Sequence, residues 1–236
     1  MNTLYMVATP IGNLDDITIR ALQVLKDVDI IACEDTRHTR ILLNKFSIDK
    51  RLIACHAHNE KASADGIVAL LQQGNDVAYV SDAGTPGISD PGAKVVETVS
   101  SAGFNVVPIP GVSAVTALIS VAGPVGKSFL FEGFTSFRKG RRVARLKELL
   151  GRQEAFVLYE SPFRILKLLE DIHAIAPGRQ LVVGRELTKI YEEILRGTAG
   201  QVSEILVKKP SVKGEFAICV IPERIKDDAE PGQDEQ

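Results

Sequence analysis

Tryptophan is absent from the 236 residues, and cysteine is scarce, with three widely spaced copies. An odd and scattered set of cysteines does not build a disulfide framework, so we expect reduced, buried thiols. The chain also has no apolar run long enough to span a bilayer, and no basic region precedes its first apolar stretch. We therefore expect neither a membrane span nor a secretory leader, and predict a cytoplasmic protein.

Two common nucleotide-binding fingerprints are missing as well. The chain contains neither the G-x-G-x-x-G of dinucleotide-binding folds nor the G-x-x-x-x-G-K-[ST] of triphosphate-binding loops. Cys55, His56 and His58 lie close together, but their spacing fits no standard zinc pattern. We therefore predict no metal site, and any ligand pocket must be built from other loops.

What is present is the composition of a globular protein, with 45% apolar and 25% charged residues. At this length the chain forms one large domain or two modest ones. In its first half, short apolar runs alternate with glycine-bearing or polar loops and with segments of helical periodicity, a pattern typical of a mainly parallel sheet covered on both faces. The predicted strands are residues 4–8, 29–33, 52–55, 77–80 and 105–109.

The glycine and proline residues from Gly123 to Gly126 interrupt this alternation and predict a domain boundary. We expect an N-terminal α/β domain over residues 1–123 and a C-terminal α/β domain with a mixed sheet over residues 127–222. Residues 223–236 carry six acids and two bases, and we predict a disordered tail there. The net charge of −2 is thus made of −4 in the tail and +2 in the body.

The stretch YVSDAGTPGISDPG, residues 79–92, has the composition of a strand that ends in a shaped loop before a helix. Its three glycines let backbone approach a ligand closely, and its two prolines stiffen the path. Ligands bind outside the carboxyl ends of strands in open α/β sheets. We interpret this loop as part of a ligand site, the alternative being a solvated turn with a helix cap.

A basic segment lies in the second domain. Residues 138–147 contain six bases and no acid. If the segment is helical, four of its arginines share one face. We predict a surface that contacts nucleic-acid phosphates, the alternative being an ordinary solvated helix face. The bases are Arg138, Lys139, Arg141, Arg142, Arg145 and Lys147.

Several motifs in order resemble those of the tetrapyrrole methylase superfamily, whose members use S-adenosylmethionine held in a cleft between two α/β domains. They are VATPIGNLDDIT (residues 7–18), SDAGTP (81–86), PGVSA (110–114) and KGE (213–215). A second set resembles the small-subunit ribosomal RNA methyltransferase I family, which methylates the 2′-hydroxyl of a cytidine in the decoding region of 16S rRNA. It comprises EDTRHT (34–39), HAHNE (56–60), FEGF (131–134), YESP (159–162) and RELTK (185–189).

The resemblance implies a set of cofactor-binding residues, a 16S rRNA substrate within the small subunit and a homodimer. Attack of a ribose hydroxyl on a sulfonium methyl needs no metal, so positioning supplies most of the rate. The implied cofactor-binding residues are Pro10, Asp82, Ala83, Gly84, Thr85, Ile88, Ser113 and Ala114 in the first domain, and Tyr159, Glu160 and Arg185 in the second.

The attacking hydroxyl calls for a base or an oriented acceptor. The candidates are Glu34, Asp35, His58 and Glu60, which follow neighbouring strands. Our hypothesis is that Asp35 orients the hydroxyl and Arg37 holds a phosphate; alternatively, Asp35 only caps its helix and pairs with Arg37.

Two other functions remain open at this stage. One is methylation of a corrin or porphyrin precursor, which would leave the basic segment and the loop at residues 34–39 unexplained. The other is a non-catalytic RNA-binding protein that keeps the cofactor fold; binding of S-adenosylmethionine would argue against it.

Overall fold

The computed structural model describes residues 2–55 and 60–223. The chain forms two compact units. The first comprises Met1–Ala117 and the short segment Leu187–Ile190; the second comprises Leu118–Glu186 and the described residues from Tyr191 onward. Within the described ranges, no helix has the length and apolar character needed to cross a membrane.

The first unit holds a five-stranded sheet in which every neighbouring pair is parallel. This confirms the predicted fold class for the N-terminal half. Its strands are β1 (Thr3–Val7), β2 (Ile30–Cys33), β3 (Arg51–Ala54), β4 (Val77–Val80) and β5 (Asn105–Ile109), in the spatial order β3-β2-β4-β1-β5. The helices are α1 (Ile19–Asp27), α2 (Thr36–Lys45), α3 (Glu60–Gln72), α4 (Ala93–Ser101) and α5 (Ala114–Ala122), which runs into the second unit.

Alternate residues of the central strands pack on opposite faces of this sheet. Tyr79 of β4 packs with α3 and α4, whereas its neighbours Ala78 and Val80 pack with α1 and α2. The strand is buried on both faces, which explains its uninterrupted apolar sequence. Pro108 lies in β5, an edge strand, where its missing N–H leaves no gap in the interior of the sheet.

The second unit holds a mixed five-stranded sheet, as predicted. Strands β6 and β7 are parallel, while β10 is antiparallel to both β7 and β8, and β8 to β9. Helices α6, α7 and α8 pack on one face of this sheet. The strands are β6 (Phe129–Phe134), β7 (Ala155–Glu160), β8 (Gln180–Arg185), β9 (Glu193–Thr198) and β10 (Phe216–Val220), in the order β6-β7-β10-β8-β9; the helices are α6 (Lys139–Leu150), α7 (Ile165–Ile175) and α8 (Ala199–Val207).

Helices α1, α4 and α7 differ in how their first turns are capped. Asp15 and Asp16 lie in a short 3₁₀ turn, and the cap of α1 is Thr18, whose hydroxyl accepts the N–H of Ala21. Helices α4 and α7 begin after Gly92 and Arg164, neither of which caps its helix through a side chain.

The three cysteines are buried, as predicted, and none of them forms a disulfide. Burial raises the pKa of Cys55 and of Cys219 to about 11. The thiolate is the reactive form of cysteine, so these side chains are inert at neutral pH.

Candidate functional site

Four loops of the first unit leave the same edge of the parallel sheet, because the carboxyl ends of parallel strands lie together. They follow β1, β2, β4 and β5, and β4 is the central strand of the sheet, with β2 and β1 as its neighbours. This edge is therefore where the sequence motifs at residues 7–18, 34–39, 81–86 and 110–114 meet.

The loops after β1 and β4 are joined by an antiparallel bridge. Thr9 and Gly84 exchange two backbone hydrogen bonds of 2.9 Å, and the Thr9 hydroxyl donates to the Ser81 carbonyl at 3.1 Å. Gly84 has a φ of +81°, a left-handed conformation that a side chain disfavours. The bridge thus fixes two of the implied cofactor loops by backbone contacts.

The loop after β5 is attached to the other two. Thr85 donates its hydroxyl hydrogen to the Val112 carbonyl at 3.2 Å. A Cβ at Gly111 would lie 2.9 Å from the Cβ of Ala8. The loop after β5 and the end of β1 therefore approach as closely as a glycine allows. The predicted cofactor residues Ser113 and Ala114 follow at once, at the start of α5.

The loop after β2 is tied to the same framework through Asp82, whose Oδ1 accepts the backbone N–H of Asp35 at 3.1 Å. This contact brings one implied cofactor residue and one candidate acceptor residue together. Ile88, further along the β4 loop, has 40% of its surface exposed. Ala83 is exposed as well, so backbone and side chains at this edge are open to a ligand.

Asp35 caps α2 and pairs with Arg37, the geometry of the alternative interpretation. Its carboxylate accepts the Arg37 backbone N–H at 2.8 Å and the guanidinium at 3.2 and 2.9 Å. These bonds, the guanidinium ones above all, lower the pKa of Asp35 to about 2. Asp35 is therefore ionised at neutral pH, able to accept a hydrogen bond but a weak base. Arg37 remains largely exposed.

Several carboxyl groups surround this edge. The pKa of the buried Tyr79 hydroxyl is raised first by burial and further by the negative charges of Glu34, Glu60 and Asp90. Glu60 accepts the Gly92 N–H at 3.3 Å, which joins the start of α3 to the start of α4. With Asp82 close by, the edge carries several negative charges, which favour a cationic ligand group. His58 lies outside the described residues.

A small cavity of about 50 Å³ lies between the β1 and β4 loops and α2. Thr9, Pro10, Ser81 and Asp82 line it together with the helix residues His38 and Thr39. Pro10 is buried. Two of the implied cofactor residues, Pro10 and Asp82, therefore line a cavity whose opposite side is formed by α2, the helix that Asp35 caps.

The structure also shows contacts that the sequence did not predict. In the first unit, the segment Leu187–Ile190 packs on the β1 loop, where Thr188 accepts the Asn13 N–H through its hydroxyl oxygen at 3.1 Å. A Cβ at Gly12 would collide with the Lys189 side chain. Thr188 has a φ of +66°, and a left-handed threonine is a strained conformation that no pattern in the sequence indicates.

In the second unit, the three implied cofactor residues lie at strand ends. The Tyr159 ring packs edge-on against the rings of Phe131 and Phe134. Glu160 is buried and lies 3.1 Å from the Arg164 guanidinium. Arg185 donates to the Lys213 carbonyl at 2.8 Å, within the RELTK and KGE motifs. All three side chains are thus held in place by residues of their own unit.

The basic segment forms α6, but its arginines do not share an exposed face. Arg142 is buried and forms an ion pair with Asp171 at 2.7 Å, so the predicted common face is wrong for this residue. Arg145 donates to both carboxylate oxygens of Glu132, at 2.9 and 2.7 Å. Both ion pairs attach α6 to neighbouring elements of the second unit. Arg138, Lys139, Arg141 and Lys147 are exposed.

The chain matches the family model of the tetrapyrrole (corrin/porphyrin) methylases over residues 3–203. It is also similar to proteins named ribosomal RNA small subunit methyltransferase I. The Borrelia garinii subsp. bavariensis protein is 46% identical over 218 residues, which cover 92% of this chain and 97% of that protein. The Escherichia coli O157:H7 protein is 47% identical over 220 residues, which cover 92% of this chain and 77% of that protein.

Solved structures show the same fold at low sequence identity. A diphthine synthase structure has a TM-score of 0.75 at 15% identity and covers 95% of this chain and 91% of its own. The methyltransferase CobJ has a TM-score of 0.72 at 19% identity, covering 95% and 97%. These likenesses confirm the predicted two-sheet α/β fold.

Proposed function

The chain belongs to the tetrapyrrole methylase family and, within it, to the ribosomal RNA small subunit methyltransferases I, and on this basis we propose that it methylates RNA of the small ribosomal subunit. The methyl donor is S-adenosylmethionine. The acceptor is the ribose 2′-hydroxyl of a cytidine in the decoding region of 16S rRNA. The observation that carries this proposal is the joining of the β1, β4 and β5 loops to the acceptor-side loop after β2.

The residues at this sheet edge fit a cationic methyl donor. S-adenosylmethionine supplies an activated methyl group on a positively charged sulfonium. Asp82, Glu34, Glu60 and Asp90 give the edge a negative charge, which favours a cation over a free phosphate. Gly84 and Gly111 let the loops after β1, β4 and β5 pack closely together, and so fix the backbone that borders the proposed cofactor site. Tyr159, Glu160 and Arg185 complete the set of residues that we assign to the cofactor.

On the acceptor side we assign orientation of the hydroxyl to Asp35. Its carboxylate is ionised at neutral pH and already fixed by Arg37, so it can accept the hydroxyl hydrogen bond without first losing a proton. Its low pKa makes it a poor proton acceptor, and Glu34, Glu60 and His58 remain the candidates for that role. Arg37 is exposed and lies beside it, where it can contact a phosphate of the same nucleotide.

We assign contact with the RNA phosphates to the exposed bases at the start of α6. Arg138, Lys139 and Arg141 are exposed and have no acid between them. Arg142 and Arg145 are assigned to structure instead, because their guanidinium groups already pair with carboxylates.

Methyl transfer with labelled S-adenosylmethionine tests the function directly. The substrates are small ribosomal subunits, protein-free 16S rRNA, and a corrin or porphyrin precursor. We expect label in the RNA, at a nucleotide whose 3′ linkage resists alkaline hydrolysis because its 2′-hydroxyl is blocked. Label in the tetrapyrrole instead would favour the small-molecule alternative. Absence of S-adenosylmethionine binding in calorimetry would favour a non-catalytic RNA-binding protein.

Two further parts of the proposal concern context. We propose that the enzyme acts in the cytoplasm on an assembled or assembling small subunit, and that it works as a homodimer. Comparing subunits with free rRNA in the same assay tests the first point. Sedimentation analysis of the purified protein tests the second.

A further inference from the structure

Two exposed phenylalanines of the second unit adjoin the same arginine, Arg164, one in space and one in the chain. Phe163 has 90% of its surface exposed, and Phe137 has 85%. Arg164 follows Phe163 in the chain, and its guanidinium carbon lies 4.2 Å from the centroid of the Phe137 ring. A single exposed phenylalanine needs no explanation, but two of them beside the same arginine form a candidate contact surface.

Arg164 is held rigidly by buried groups. One of its terminal nitrogens donates to the Thr135 carbonyl at 2.8 Å and to the Thr135 hydroxyl at 3.1 Å. The same nitrogen lies 3.1 Å from the buried carboxylate of Glu160. These contacts join the loop that carries Phe137 to the start of α7, and the guanidinium that they hold lies against the Phe137 ring.

The charge around these rings is positive. Arg138 and Lys139 follow Phe137 directly, and Arg141 lies one turn further along α6; all three are exposed. Bases at the N-terminal end of a helix oppose its dipole, so the stability of α6 does not favour them. Aromatic faces backed by arginine, beside exposed bases, are the combination with which proteins hold unpaired nucleotides.

We propose that Phe163 and Phe137 form a stacking platform for unpaired bases of the RNA substrate, with Arg138 and Lys139 on the adjacent phosphates. This inference rests on the proposed RNA substrate. It adds to the proposed function a surface that recognises single-stranded RNA. Charge complementarity selects RNA over a second copy of this chain as the occupant. The platform gives the enzyme a preference for unpaired regions over continuous duplex, because only unpaired bases expose their faces.

The test compares three substitutions of Phe163 in the full chain. Binding of a short fluorescein-labelled single-stranded pyrimidine RNA is followed by anisotropy, beside a duplex RNA of the same length. We expect Phe163→Ala to weaken single-strand binding about tenfold, as loss of one stacked base does, with duplex binding unchanged. Phe163→Tyr keeps the ring and should bind like the wild type. Phe163→Leu keeps apolar surface without a ring and should be as weak as Phe163→Ala.

Val207→Ala is the matched control, since Val207 is an exposed apolar residue on α8 of the same unit. The KM for small-subunit RNA should rise in Phe163→Ala while kcat and S-adenosylmethionine affinity stay unchanged. Wild-type affinity for single-stranded RNA in Phe163→Leu or Phe163→Ala would overturn the platform. A change in the sedimentation of Phe163→Ala that showed this face to join two copies of the chain would overturn it as well. If wild-type protein methylates no small-subunit RNA, the proposed function fails first, and the two failures are distinguishable.

Discussion

The Asp82 carboxylate accepts the backbone N–H of Asp35 at 3.1 Å, and so connects the loop after β4 to the loop after its neighbour β2. One of these loops belongs to the proposed cofactor site and the other to the proposed acceptor site. A change at Asp82 should therefore affect both the binding of the methyl donor and the position of the acceptor.

Replacing Asp82 by Ala should weaken S-adenosylmethionine binding about tenfold, because it removes a charged acceptor from the site. The catalytic rate at saturating cofactor should fall as well, since Asp35 loses its backbone anchor. Asp82→Asn keeps an acceptor oxygen but no charge, so it should preserve part of the rate while still weakening the cofactor. Calorimetry and single-turnover methyl transfer measure the two effects separately. Cofactor affinity equal to that of wild type in Asp82→Ala would remove Asp82 from the cofactor site.

The left-handed glycine of the β1–β4 bridge offers a second test. Gly84→Ala should destabilise the protein by about 1–2 kcal/mol because alanine disfavours this conformation. Gly103→Ala is the matched control: Gly103 has a φ of +84°, close to that of Gly84, and open space around it, but it follows α4 away from the loops. Both variants should lose similar stability in urea unfolding, but only Gly84→Ala should lose cofactor affinity. Equal affinity for S-adenosylmethionine in the two variants would contradict the assignment of the loop after β4 to the cofactor site.

Much of the first unit could be predicted from the sequence because its strands are buried on both faces. Residues such as Val77–Val80 form an apolar run ended by glycine and proline, and the loop then follows at the carboxyl edge by the geometry of parallel strands. The motif at residues 81–86 therefore lies where the sequence places it. The role of Asp35 as a helix cap could also be predicted, because a short acidic side chain before an amphipathic segment accepts the first free N–H groups of a helix.

Side-chain pairing in the second unit could not be predicted from the sequence in the same way. Arg142 and Arg141 are adjacent and identical in type, yet one is buried against Asp171 and the other is exposed. The difference depends on which face of α6 meets α7, a tertiary contact between residues far apart in the chain. Thr188 is a similar case, because its left-handed backbone and its bond to Asn13 arise only when distant segments pack together.

Asp35 should make the stability of the protein depend on pH in acid. Its folded pKa of about 2 lies below the ordinary value of 3.8, because Arg37 stabilises the charged form. A lowered pKa gives stability that is present above the ordinary value and is lost as pH falls through the folded value. Between about pH 5 and pH 2, the melting temperature of wild-type protein should therefore fall more steeply than that of Asp35→Asn.

The same variant separates the two roles discussed for Asp35. If Asp35 orients the hydroxyl, Asp35→Asn should lower the methyl-transfer rate at neutral pH without changing cofactor affinity. An unchanged rate, together with the altered acid stability, would leave only the capping and pairing role.

The adjacent arginines of α6 should give opposite results when replaced. Arg142→Met leaves the Asp171 carboxylate buried without its partner, and should cost about 3–5 kcal/mol in the free energy of unfolding. Arg141→Ala should leave stability unchanged and reduce the dependence of RNA affinity on salt by about one phosphate contact. Lys208→Ala, an exposed base after α8, is the control for a general loss of positive charge. Salt-dependent RNA binding and urea unfolding measure both effects, and a reduced salt slope in Arg142→Met at full stability would show that the buried pair opens to the RNA.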